Sequence, residues 1–169
     1  NVQNHDLALR MAELAQVISL RRVDDVLVDV TAAAKELIAG VDIAGVLLVG
    51  KGGTHQTLAP TSDVMFKLDE LQMTTGEGPC LQAALDEIVI RTDDFRNEPR
   101  FPNYAPKVVE LGLLSALSLK LYTADRTAGA LNLFGYEPRP WNSEAETIGM
   151  VLAAHAASAI LASQRHNGC

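Results

Sequence analysis

Ser115-Ala116-Leu117-Ser118-Leu119-Lys120-Leu121-Tyr122 alternates leucine with small or polar residues, and Gly129-Ala130-Leu131-Asn132-Leu133-Phe134-Gly135 answers in the same rhythm. A period of two sends successive side chains to opposite faces of a sheet, so both stretches predict strands. The short polar connection Thr123 to Thr127 makes them an antiparallel hairpin. Leucines then share one face, while Ser118, Lys120 and Asn132 share the other. The leucine face needs a covering layer, and the termini offer candidates.

Beyond the hairpin, Pro138, Pro140 and Trp141 lead to Ser143, with Glu146 three residues on. This predicts a capping box opening a long helix from Glu144 to about Gln164, with Ile148, Val151, Leu152, His155, Ala159 and Ala162 as its apolar stripe. At the other end, Leu7, Met11, Leu14, Val17 and Ile18 recur at helical spacing, predicting a helix over about Asn4–Leu20. A second helix, about Asp24–Ala39, stops at Gly40. Val41–Val49 is a near-continuous apolar run, predicting a buried strand, with Gln56–Ala59 as its hairpin partner. The intervening Gly50 to Gly53 cluster lacks phosphate-loop spacing and reads as a turn. Asp63–Leu71 fits a short helix capped by Ser62 or Asp63, Ile88–Ile90 a brief strand, and Ala105–Gly112 a further helix. An antiparallel sheet with helices on both faces is the simplest closed arrangement, and the terminal helices share one of them.

Thr75-Gly76-Glu77-Gly78-Pro79-Cys80 is the sharpest corner in the chain. Its Gly-Pro step precedes Leu81 to Leu85, good helix formers, so Gly78 reads as N-cap and Cys80 falls in the first turn. A thiol there is either activated by the helix start or a small packed residue; the Glu77 charge opposes activation. His155 reads as a core or helix-interface histidine. Asp93, Asp94, Arg96, Glu98 and Arg100, around Pro99, Phe101 and Pro102, read as capping and local ion pairing in an irregular section.

The 169 residues fit one domain, 48% hydrophobic and 21% charged, with a net charge of −7. Clustered Lys and Arg for a nucleic-acid backbone are lacking, so direct nucleic-acid binding is not expected. Two distant cysteines make no disulfide framework and fit a reducing, cytoplasmic setting. No stretch is read as approaching the roughly 20 apolar residues of a membrane span. No ligand-type spacing suggests a metal site.

Gly76-Glu77-Gly78-Pro79-Cys80, Asp93-Asp94, Glu98-Pro99-Arg100-Phe101-Pro102, Leu111 to Ser115, Gly129 to Phe134 and the closing Ala153-Ala154-His155-Ala156-Ala157 together resemble the GAF domain family. More narrowly, they look like the GAF domains of bacterial GAF-ANTAR transcription antitermination regulators. The resemblance covers about Asp24 to Gln164 and divides the chain into an N-terminal amphipathic helix (1–22), a GAF domain (23–165) and a tail (166–169). It implies an α+β, PAS-like fold: a central antiparallel sheet of about six strands, terminal helices on one face, lid helices and loops on the other. It implies a non-enzymatic sensor that binds a small ligand, of unknown identity, and pairs as a homodimer through its terminal helices. An ANTAR RNA-binding output domain would belong to a longer parent chain. Phe66, Cys80, Phe101, Tyr104, Ser118, Lys120 and Asn132 are the expected ligand-lining residues; they either line a cavity or fill it themselves. The motif of cyclic-nucleotide members is broken, because Asn132 is followed by Leu133. Two other readings remain: a ligand-free dimerisation module, and a thiol-based redox enzyme or sensor acting through Cys80.

Overall fold

The computed structural model describes residues 2–81, 87–122 and 128–167. Its elements run α1 (Val2–Leu37), β1 (Ile43–Val49), β2 (His55–Leu58), α2 (Val64–Thr75), β3 (Val89–Thr92), α3 (Tyr104–Glu110), β4 (Ser115–Leu121), β5 (Ala128–Gly135) and α4 (Ser143–Asn167). The predicted Thr123–Thr127 turn lies outside the described residues, as does the predicted helix after Leu81.

The hairpin strands pair antiparallel in the expected register, Leu117 opposite Leu133 and Ser118 opposite Asn132. They lie within a five-stranded antiparallel sheet of order β2-β1-β5-β4-β3, close to the six strands expected. Alternation splits the core in two. On one face Leu117, Leu119, Leu121, Leu131 and Leu133 pack with Leu27, Val30, Ala34 and Ile38 of α1 and Ala145, Ala153, Ala156 and Ile160 of α4. On the other, Ile43, Leu47, Ala116, Ala130 and Phe134 meet Met65 and Leu68 of α2, Cys80, Phe101, and Tyr104 and Val108 of α3. The terminal helices therefore share one face and the lid helices the other.

Three local expectations are corrected. The two N-terminal helices are one, because Arg21-Arg22-Val23 supplies no Gly or Pro to break the hydrogen-bond ladder. The cap of α4 is Asn142, whose Oδ1 accepts from the Ala145 N–H at 2.8 Å. Glu146 instead approaches Arg91 at 3.7 Å, so no capping box forms at Ser143. The α4 stripe is also displaced. Its buried face is Ala145, Gly149, Ala153, Ala156, Ile160 and Ser163, while Val151 and His155 are exposed. Small residues let the helix sit close to the sheet, where a Cβ on Gly149 would stand 2.8 Å from Leu119. Residues 143–163 of α4 are also long and apolar enough to cross a membrane by length and composition, contrary to expectation. Here that helix covers the leucine face.

Candidate functional site

The lid helix α2 buries Met65, Leu68, Asp69 and Gln72, spaced i, i+3, i+4 and i+7 along one side. Two of these four are polar, and they organise the site. Asp69 Oδ2 accepts from the Thr57 hydroxyl on β2 at 2.6 Å. Gln72 Oε1 accepts from the backbone N–H groups of Cys80 and Leu81 at 3.0 and 3.1 Å. A helix start leaves its first N–H groups without intrahelical partners, and here the α2 side chain supplies one. The Gly76–Cys80 corner makes this reach possible. Gly76 has φ 68° and its N–H donates to the Gln72 carbonyl at 2.9 Å, closing α2. Gly78 has φ 136° and faces the Gln72 carboxamide, so close that an added Cβ would lie 2.6 Å from Cδ.

Cys80 and Tyr104 lie fully buried beside Asp69 and Gln72, with Ser118 and Asn132 beneath them on the sheet. The Ser118 hydroxyl donates to Asn132 Oδ1 at 3.0 Å. Asp69 Oδ1, Gln72 Nε2, Tyr104 Oη and Asn132 Nδ2 are buried without a hydrogen-bond partner. Buried polar atoms are nearly always paired with protein, water or ligand, so four on one cluster mark a polar site. Phe101 closes its flank with an edge-on contact to Tyr104, ring centroids 6.3 Å apart.

Burial pushes the Asp69 carboxyl up to about 7, against the opposing Thr57 hydrogen bond. Burial, then the Asp69 charge, also pushes the Cys80 thiol well up, with Asn132 only partly offsetting the rise. Tyr104 rises well above its usual range through burial, then the Asp69 and Cys80 charges, with the nearby Gln72 side chain, beyond hydrogen-bond geometry, only partly offsetting the rise. Against desolvation, hydrogen bonds from the Asn103 side chain and from the Tyr104 and Asn103 N–H groups hold Glu77 below its usual range. Thus Asp69, and not the expected Glu77, is the carboxyl that disfavours the thiolate. Nor does the helix start activate it, because Gln72 occupies the Cys80 and Leu81 N–H groups. In a Cys169→Ser background, Cys80 should label with a disulfide reagent at neutral pH roughly a hundredfold or more slower in the native than in the unfolded chain. Rapid native labelling would return a reactive thiol to the picture.

Five of the seven expected residues meet here: Cys80, Phe101, Tyr104, Ser118 and Asn132. Phe66 does not; it sits one position from the buried face of α2 and is 51% exposed. Lys120 lies one residue past the β3–β4 register, its N–H donating to the Ile88 carbonyl at 2.8 Å and its Nζ 5.6 Å from the Tyr122 ring, beside a surface cavity of about 220 Å³ shared with Met150 and Ala153 of α4. The residues missed were Thr57, Asp69 and Gln72. The signal for Asp69 and Gln72 was present in the i, i+3, i+4, i+7 face of α2, where polar type disguised burial; Thr57, on the edge strand β2, carried none. The acidic and basic loop residues pair locally: Arg96 with Asp94 at 2.8 Å and Arg100 with Glu98 at 2.8 Å. Asp94 also accepts from the Arg96 N–H, capping the turn Phe95–Asn97. Among the described residues, no group of three potential ligands could hold a metal ion.

A family model described as the GAF domain matches residues 21–161, most of the chain. The chain belongs to the GAF domain family. Solved GAF-fold structures agree. A GAF domain/HD domain protein from Geobacter sulfurreducens is 14% identical, with 85% of this chain and 94% of that one covered and a TM-score of 0.62. The type II free methionine-R-sulfoxide reductase from Thermoplasma acidophilum is 14% identical, with coverage of 83% and 92% and a TM-score of 0.63. The phycoerythrobilin-bound GAF domain of a cyanobacterial phytochrome is 14% identical, with coverage of 96% and 97% and a TM-score of 0.63. At such identities the likeness is one of fold. No match was found among curated proteins.

Proposed function

We propose that this GAF domain is a non-enzymatic, cytoplasmic sensor whose small ligand enters the polar cluster between the lid helices and the sheet. The observation that carries the reading is the set of unpartnered buried polar atoms on Asp69, Gln72, Tyr104 and Asn132. Their donors and acceptors suit a small polar molecule held by hydrogen bonds within an apolar wall. Cys80, buried and with its thiol pushed up, lends no support to redox chemistry. The full enclosure of the cluster favours a second reading, in which the domain is ligand-free and serves dimerisation. Native mass spectrometry of protein isolated from its own host separates the two. A small molecule retained with the chain supports sensing, whereas a dimer of bare chains supports the scaffold.

The same reading gives α1 and α4 the output role. Leu7, Met11 and Leu14 are exposed and spaced by four and three, a coiled-coil rhythm, on a stretch of α1 that precedes the matched domain. Such a segment is marginal as a lone helix in water, so we assign it to pairing with a second copy. Replacing Met11 and Leu14 by glutamate should convert the dimer to monomer at micromolar concentration, read by native mass; a persisting dimer excludes this ridge. Ligand-dependent shifts of the lid would then alter how paired helices present an output domain, on the sequence resemblance an ANTAR RNA-binding region of a longer parent chain.

A further inference from the structure

Asp69 is a fully buried carboxyl on α2 whose Oδ2 is held by Thr57 and whose Oδ1 has no partner. Among the described residues it takes part in no ion pair. The groups packed around it offer no cation. Cys80 and Tyr104 face it from the corner and from α3, and both are neutral when protonated; Asn132 comes from β5 and Thr57 from β2. Glu77, the nearest charge on the corner, is turned to Asn103 and Tyr104. Lys67 and Glu70 of α2 and His55 of β2 are exposed. A carboxylate left in this position has one hydroxyl donor and no counter-ion, and a buried unpaired charge is costly unless water reaches it. Oδ1 is fully buried, and lifting α2 from the sheet brings it to bulk water.

We propose that Asp69 makes the seating of lid helix α2 responsive to protons: the neutral carboxyl seals α2 onto the sheet, and loss of its proton to solvent releases the helix and opens the polar cluster. The device belongs to the ligand-free cluster, because a ligand donating to Oδ1 would pair the carboxylate and hold it ionised. The release is cheap on the β2 side, because β2 is a four-residue edge strand paired to β1 alone. It is transmitted on the corner side, because Gln72, one turn along the same face, holds the Cys80 and Leu81 N–H groups. The rise of the Asp69 carboxyl to about 7 sets the range.

Amide hydrogen exchange on the full chain tests this, with α2 compared to α4 at about pH 5.5 and about pH 8.5 and intrinsic rates divided out. Protection of α2 amides should fall roughly thirtyfold across that span, the factor expected when a group titrating near 7 when closed reverts to its ordinary value on opening. α4 should not follow. In Asp69→Asn, α2 protection should be independent of pH. Wild-type α2 protection that ignores pH overturns the proposal, and so does a fall that persists in Asp69→Asn. Should that variant not fold, Thr57→Val provides the check. Removing the donor to the carboxylate must move the fall to higher pH, and an unmoved fall overturns the proposal.

Discussion

Replacing Gly78 by alanine is expected to cost about 3 kcal/mol of stability, read as a drop in the urea midpoint at unchanged slope. Two terms add. The φ of 136° at Gly78 is a region that residues with a Cβ adopt only under strain, worth roughly 1–3 kcal/mol. The new Cβ would also drive into the Gln72 carboxamide, which cannot simply rotate away because its oxygen holds the Cys80 and Leu81 N–H groups. Displacing it leaves buried donors unpaired, at roughly 1–3 kcal/mol. Gly76→Ala is the control. Gly76 also has a positive φ, 68°, but nothing lies within 4 Å of its would-be Cβ. Its loss should cost only about 1 kcal/mol of left-handed preference. Equal costs for the two variants would show that Gly78 supplies backbone freedom alone and that the contact with Gln72 is not a constraint.

The corner and the hairpin were the most legible parts of the chain, for different reasons. Gly76 and Gly78 announce backbone geometry directly, and alternation in Ser115–Leu121 fixes which side chains share a face whatever covers them. On α4 side-chain size is a poor guide to burial. Close approach to Leu119 selects Gly149 and the alanines, leaving Val151 65% exposed. Alternation puts Lys120 in register with Ala130 and in phase with Ser118, but period two says nothing about where a long side chain near a strand end leads, and Lys120 lines a cavity shared with Met150 and Ala153 of α4. Asp69 and Gln72 were overlooked because charged and amide side chains on a helix are ordinarily its solvated face. Their burial follows from spacing with Met65 and Leu68, a geometric cue that polarity outweighed. The site was therefore readable in its apolar and sheet-borne half, and hidden in the half that carries its charge.

That hidden charge yields the second large effect. Asp69 has a folded-state value of about 7 against an ordinary 3.8. The unfolded chain releases this proton first, so over the interval between the two values the folded state binds more protons and stability falls as pH rises. The contribution is whole below about pH 4 and gone above about pH 7, some 4 kcal/mol in all at about 1.4 kcal/mol per unit. Between about pH 5 and about pH 8 it amounts to about 2.5 kcal/mol. This window avoids Asp94, held low by its Arg96 hydrogen bond and charge, and Glu98, held low by Arg100 against desolvation; those groups lose stability only as pH falls into the acid range. Urea unfolding across the window should show the wild type weakening by that amount and Asp69→Asn showing none of this loss, since an amide keeps an acceptor for Thr57 without a charge to desolvate. The curves should accordingly converge toward acid and separate toward base, with the asparagine variant the more stable of the two at about pH 8. Parallel curves would mean that Asp69 is ionised throughout, and that its unpartnered oxygen is hydrated or bound in the native protein.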